Sequence, residues 1–154
     1  MTETPNRKPQ LPADITSQMD SLLIKSGELF RGGEIEKSID LALKAWEFIP
    51  SPKENWDFYP QTMSKNMANK YAKLKDINKT KEWIKTTYKM YEDPDHEDHF
   101  VLMLEGSSLY ELNLKGESYD VFERIFDIYG RKGFAGEQLE YLEFFLKERA
   151  KKEG

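Results

Sequence analysis

No cysteine occurs in the 154 residues, which excludes disulfides and thiolate metal sites and is compatible with a reducing compartment. Long apolar runs are missing too: nothing approaches the roughly 18 residues that suggest a membrane span. The first twelve residues hold three prolines and no apolar signal core. A basic excess is also lacking, because 23 Lys and Arg stand against 28 Asp and Glu, for a net charge of −5 and a pI of about 5.2. That balance disfavours a broad nucleic-acid surface and suits a basic partner. The expectation is a cytoplasmic chain with no membrane segment and no nucleic-acid ligand, whose residues 1–13 form a disordered lead-in.

What is present reads as helix. The composition is 38% hydrophobic and 33% charged, with a mean hydropathy of −0.76, polar for a globular core but normal for a thin solenoid. Aromatics make up 13% of the chain, enough to bury a large area and to argue against disorder. The stretch 33–50 organises the rest. Ile35, Ile39, Ala42, Leu43 and Trp46 recur at helical spacing, with Glu34, Glu36, Lys37, Asp40, Lys44 and Glu47 on the other faces. Gly32-Gly33 turns the chain into it, and Pro50-Ser51-Pro52 ends it.

Around it the periodicity predicts a helix over 14–31, with Ile15, Met19, Leu22, Leu23, Leu29 and Phe30 as its stripe. A third helix starts near Pro60, a good first-turn residue, and buries Met63, Met67, Ala68, Tyr71 and Leu74. The fourth turns Ile77, Thr80, Trp83, Ile84, Tyr88 and Tyr91 inward. After an acidic loop over 92–99, a fifth carries Phe100, Val101, Leu104, Ser108 and Leu112, and a sixth Val121, Phe122, Ile125, Phe126 and Tyr129. The last helix, about 137–151, has Leu139, Leu142, Phe145 and Leu146 on its apolar face and a charged tail.

Three inter-helix turns repeat, beginning at Gly33, Lys75 and Gly116, with separations of 42 and 41 residues. Small residues precede them (Ser26, Ala68, and Ser107 or Ser108), and Ser38, Thr80 and Val121 follow as first inward positions. Small residues at a helix crossing let backbones approach closely. This pattern resembles tetratricopeptide repeats, most closely over 33–50, although the spacing exceeds that family's 34 residues. The resemblance implies an all-α fold: a right-handed stack of three helix hairpins plus a C-terminal capping helix, one domain over 14–152.

Candidates for chemistry are few. His96 and His99 lie in Asp95-His96-Glu97-Asp98-His99, where imidazoles and carboxylates could meet a metal. Carboxylates at the start of a helix explain the same acids, so no metal site is expected. No nucleophile–base pair or Gly-rich phosphate loop is legible, so no catalytic residue and no cofactor is expected. Lys65 and Asn69, four apart on the third helix, match the donors with which tetratricopeptide co-chaperones grip a carboxylate. That supports a peptide-binding adaptor as the alternative function. The basic residues that such a clamp needs on the fifth helix are missing, since no Lys or Arg precedes Lys115 there.

A narrower resemblance lies in Trp46-x-x-Ile49-Pro50-x-Pro52-Lys53, in Lys81-Glu82-Trp83, and in Gly130-Arg131-x-x-Phe134-x-Gly136 followed by Tyr141-Leu142-x-Phe144. These segments look like the tetratricopeptide-like immunity proteins encoded beside bacterial polymorphic toxins. The resemblance implies a cytoplasmic, non-enzymatic inhibitor, a monomer or weak dimer, that binds its cognate toxin domain. Solenoids commit their repeat core to stacking, which leaves specificity to loops and grooves. The partner-binding candidates are therefore Trp56, Asp57 and Tyr59 in the aromatic loop and Asp95, Glu97 and Asp98 in the acidic one. The aromatics would anchor and the acids steer a basic partner.

Overall fold

The computed structural model describes residues 8–154, which hold seven α-helices and no strand. They are α1 (Ala13–Arg31), α2 (Ile35–Glu47), α3 (Tyr59–Lys73), α4 (Ile77–Met90), α5 (His99–Glu111), α6 (Lys115–Tyr129) and α7 (Leu139–Glu153). The fold is all-α. Contacts divide the chain into two compact units, one ending at Glu92 and one starting at Asp93, where the sequence reading has a single domain over 14–152. In the first unit α1 pairs with α2 and α3 with α4, and α2 packs on α3. In the second, α5 pairs with α6, and α7 lies on α6.

The three hairpin turns share one hydrogen-bond pattern. Gly33 N–H donates to the Phe30 carbonyl and Glu34 N–H to Leu29, at 3.0 and 2.9 Å. Lys75 and Asp76 repeat this on Ala72 and Tyr71, and Asn113 and Leu114 on Tyr110 and Leu109. This is a Schellman closure, which needs one left-handed residue at the turn. Gly33, Lys75 and Asn113 supply it, with φ of 84°, 60° and 63°.

That geometry corrects the third repeat. Its turn centres on Asn113 and not on Gly116, so the spacings are 42 residues (33 to 75) and 38 (75 to 113). Ser118, fully buried, is therefore the counterpart of Ser38 and Thr80, and Val121 is not. Counting back as from Ser38 to Ser26, the small residue on the first helix is Gly106, in place of Ser107 or Ser108. The sequence shift arose because Gly-Glu at 116 imitates the Gly-Glu at 33.

At the first crossing the small pair is also bonded. Ser26 Oγ donates to the Ser38 carbonyl at 2.6 Å, and Ser38 Oγ to the Ser26 carbonyl at 2.7 Å. Around it the first core gathers Met19, Ile39, Ile49, Met67, Ile84 and Tyr88, with Trp46 edge-on to Trp83 at 5.2 Å between ring centroids. The second unit's core centres on Phe122, stacked on Tyr141 and flanked by Phe134.

Some residues expected inward are exposed. Ile77, Phe100 and Leu139 sit in the first turns of α4, α5 and α7. A helical side chain leans toward its helix's N-terminus, so an apolar residue at the start overhangs whatever the helix packs on. The expected lead-in also differs. Residues 1–7 lie outside the described chain, but 8–12 are tied down. Lys8 donates to the Glu54 carbonyl and pairs with Glu92 at 3.2 Å, Pro9 accepts from Asp57 N–H, and Leu11 is buried.

Candidate functional site

A groove of about 440 Å³ lies between α1 and α3 in the first unit. Leu23, Gly27 and Phe30 line one wall, and Met63, Met67 and Asn66 the other, with Arg31, Asn69 and Lys70 at one end and Asp20, Phe58 and Tyr59 at the other. Helical spacing explains the lining. Residues 23, 27 and 30 share a face of α1, as 63, 66, 67 and 70 share one of α3.

The loop over 51–58 shapes the mouth. Tyr59 N–H donates to the Asp57 carbonyl at 2.8 Å across Phe58, whose φ of 67° and ψ of −64° define a γ-turn that residues with side chains rarely adopt. The strap over 8–12 holds that turn, through the bond from Asp57 N–H to the Pro9 carbonyl at 2.9 Å. The result is a phenyl ring 58% exposed at the groove's edge. Beside it the Tyr59 hydroxyl donates to Asp20 Oδ1 at 2.9 Å, tying α3 to α1. Burial and that carboxylate both push the Tyr59 phenol above its usual pKa.

Lys70 is the unusual charge. Its ammonium is half-buried, donates to Ser26 Oγ at 2.9 Å and stands 6.0 Å from the Phe30 ring centroid. Among the described residues no carboxylate pairs with it, and burial alone pulls its pKa below the usual lysine value. The sign of the linkage follows. The unfolded chain holds this proton more tightly, so the contribution to stability rises with pH between the folded value and the ordinary one near 10.5. While the ammonium is charged, its partial desolvation opposes folding.

The expected site residues are distributed unevenly. Tyr59 and Asn69 line opposite ends of the groove, whereas Lys65 is exposed and does not line it. Trp56 is half-buried, and its indole N–H donates to the Pro50 carbonyl at 2.9 Å, so the ring folds back on its own loop. Asp57 is half-buried beside the strap and lines a separate recess with Gln10 and Leu11.

Asp95, Glu97 and Asp98 belong to the second unit, in a loop with its own bonding. Arg124 donates to the carbonyls of Asp95 and His96 at 2.8 and 2.7 Å, and the Tyr129 hydroxyl to that of Glu97. Asp93 accepts from the N–H groups of Glu97 and Asp98. Asp98 caps α5, its Oδ1 accepting from Phe100 and Val101 N–H at 2.9 and 3.2 Å. That is a structural task, commonly worth about 1 kcal/mol. Asp95 and Glu97 remain exposed. His99 Nε2 lies 2.6 Å from the Gly133 carbonyl and donates to it, so its ring is committed away from His96. Among the described residues no group of three His, Asp or Glu is placed to hold a metal, and no helix is long and apolar enough to cross a membrane.

Lys70 and Asn66 were not legible as site residues. A lysine on a polar helix face is ordinarily solvated, and nothing local announces that Ser26 of another helix lies beneath it. Phe58 owes its exposure to a strap 46 or more residues away in sequence, from Pro12 back to Lys8. Comparison with known proteins finds neither a family model nor a curated protein that matches this chain.

Proposed function

We propose that this protein is a cytoplasmic, non-catalytic inhibitor that binds one toxin domain encoded beside it and neutralises that domain by occlusion. The resemblance of 46–53, 81–83 and 130–144 to immunity proteins motivates the reading. The observation that supports it is the groove between α1 and α3, an open apolar trough with polar ends and an exposed aromatic at its mouth. Concave surfaces that combine apolar lining with a few placed polar groups suit binding. Phe58 and Tyr59 act as the anchors in this reading, and the exposed carboxylates of Asp95 and Glu97 speed encounter with a basic partner, an effect that fades in salt.

The adaptor reading draws on Asn66, Asn69 and Lys70, a set of donors at one end of the trough. Growth of cells expressing the neighbouring toxin domain separates the two. Co-expression of this chain is expected to restore growth, and Phe58→Ala/Tyr59→Ala to weaken the rescue. Absence of a neighbouring toxin, or a lack of rescue by the wild-type chain, contradicts the inhibitor reading.

A further inference from the structure

Lys115 opens α6, and its ammonium lies 3.0 Å from the ring centroid of Tyr110 and 5.7 Å from that of Phe144. Tyr110 comes from α5 and Phe144 from α7, so three helices of the second unit meet at this cation. Tyr141 completes the enclosure. It stands edge-on to Tyr110 at 5.2 Å, as Phe144 does at 5.1 Å. Phe122, fully buried, backs the group, stacked on Tyr141 and edge-on to Phe144 at 6.2 Å. The three outer rings are only half-buried, so the cage is rigid from below and open to solvent.

Aromatic faces attract cations through the ring quadrupole, and cages of such rings are a recurring means of recognising organic cations. The chain's own lysine thus marks a cation site, and it is a replaceable occupant. The first turn of a helix is the end at which a cation is disfavoured, so the rings hold Lys115 against that field. A primary ammonium is also strongly hydrated. A guanidinium is planar, stacks on aromatic faces and gives up water more readily.

We propose that Tyr110, Tyr141 and Phe144 form a binding site for an arginine of the protein partner, filled in the free protein by Lys115 and exchanged for the guanidinium on binding. This deepens the binding reading above and rests on it. Two carboxylates favour a cation with hydrogen bonds to give. Burial raises the Tyr141 pKa first, and the charges of Glu140 and Glu111 add to it, which places both exposed carboxylates within electrostatic reach of the cage. A quaternary ammonium suits the rings but offers those carboxylates no donor. The net charge of −5 favours a basic partner in the same sense.

The test titrates the full chain with capped Gly-X-Gly tripeptides, where X is arginine, lysine or trimethyl-lysine, and follows the aromatic resonances by nuclear magnetic resonance. Arginine is expected to shift Tyr110, Tyr141 and Phe144 together and saturably, ahead of the other two. Lys115→Gln should tighten that binding about fivefold or more, because apparent affinity scales with the vacant fraction of a site. Lys132→Gln removes an equal charge from the exposed turn beyond the far end of α6, and should change the affinity less than about twofold, since solvent and salt screen it. Phe144→Leu keeps an apolar side chain and should weaken arginine binding about fivefold. Thermal melts verify that each variant is folded. Absence of saturable shifts in both wild type and Lys115→Gln overturns the proposal, as does arginine binding that Lys115→Gln leaves unchanged. So does arginine binding that survives Phe144→Leu, or a lysine or trimethyl-lysine peptide that binds as well. Any of these results, accompanied by toxin rescue, leaves the inhibitor reading standing and removes only the arginine site. The expected shifts without rescue do the reverse.

Discussion

Trp46→Ala is expected to destabilise the protein by about 3–5 kcal/mol, the usual result of truncating a large buried aromatic. The indole is 8% exposed and meets Trp83 edge-on, at 5.2 Å and 76°, so α2 and α4 lose their shared contact with it. Ile49 is buried one turn further along, and the Lys53 ammonium sits 5.3 Å from the Trp46 ring centroid while bonding to the carbonyls of Trp46 and Ile49. Those bonds fix the end of α2 and leave the surroundings little freedom to collapse into the vacated space. Chemical denaturation followed by circular dichroism reads the effect. A loss below about 1 kcal/mol would mean that the cavity closes or that Trp46 does not carry the first core.

Gly106→Val is the second large effect, and the sign rests on a competition. Glycine within a helix costs roughly 0.5–1 kcal/mol relative to alanine, so adding a side chain normally stabilises. Here a Cβ would stand 2.5 Å from Phe122 Cε1 and 2.8 Å from Cδ1. Phe122 is fully buried, stacked on Tyr141 at 5.2 Å and flanked by Phe134 at 5.9 Å, so its ring has nowhere to retreat. Overpacking of this kind typically costs 1–3 kcal/mol and occasionally more, which outweighs the propensity gain; valine's two further methyls place it at the upper end. Gly106→Ala should destabilise in the same direction but by less. A stabilised alanine variant would show that α5 and α6 do not cross at Gly106.

Both substitutions probe the same physical idea, a small residue or a large ring where two helices meet, and they were not equally visible beforehand. The all-α class, the hairpins and the first crossing were readable because the apolar spacing over 33–50 and the Gly-Pro punctuation report local structure directly. Gly106 was not, since Gly116-Glu117 copies the letters of Gly33-Glu34 while Asn113 takes over the left-handed turn position. Asparagine tolerates that conformation, so its role becomes clear only from the backbone. The candidate site was less legible still. Tyr59 and Asn69 were singled out and line opposite ends of the groove, but Trp56 bonds to its own loop, Asp98 caps a helix, and Lys65 lies outside the trough. The first two are local bonds, and the cap is the helix-start role that the acidic run already suggested, whereas the groove depends on how distant segments come together. Residues 8–12 make the point most clearly: three prolines in twelve residues read as disorder, yet the strap they form holds the turn that displays Phe58.

The central claim is that this chain acts by binding a toxin domain. Isothermal titration of the full chain with the toxin domain encoded next to it, inactivated at its catalytic residue, tests that claim most directly. The account predicts saturable one-to-one binding, weakened by about 2 kcal/mol or more in Phe58→Ala/Tyr59→Ala, as truncating aromatic anchors commonly does. Absence of binding by the wild-type chain would contradict it.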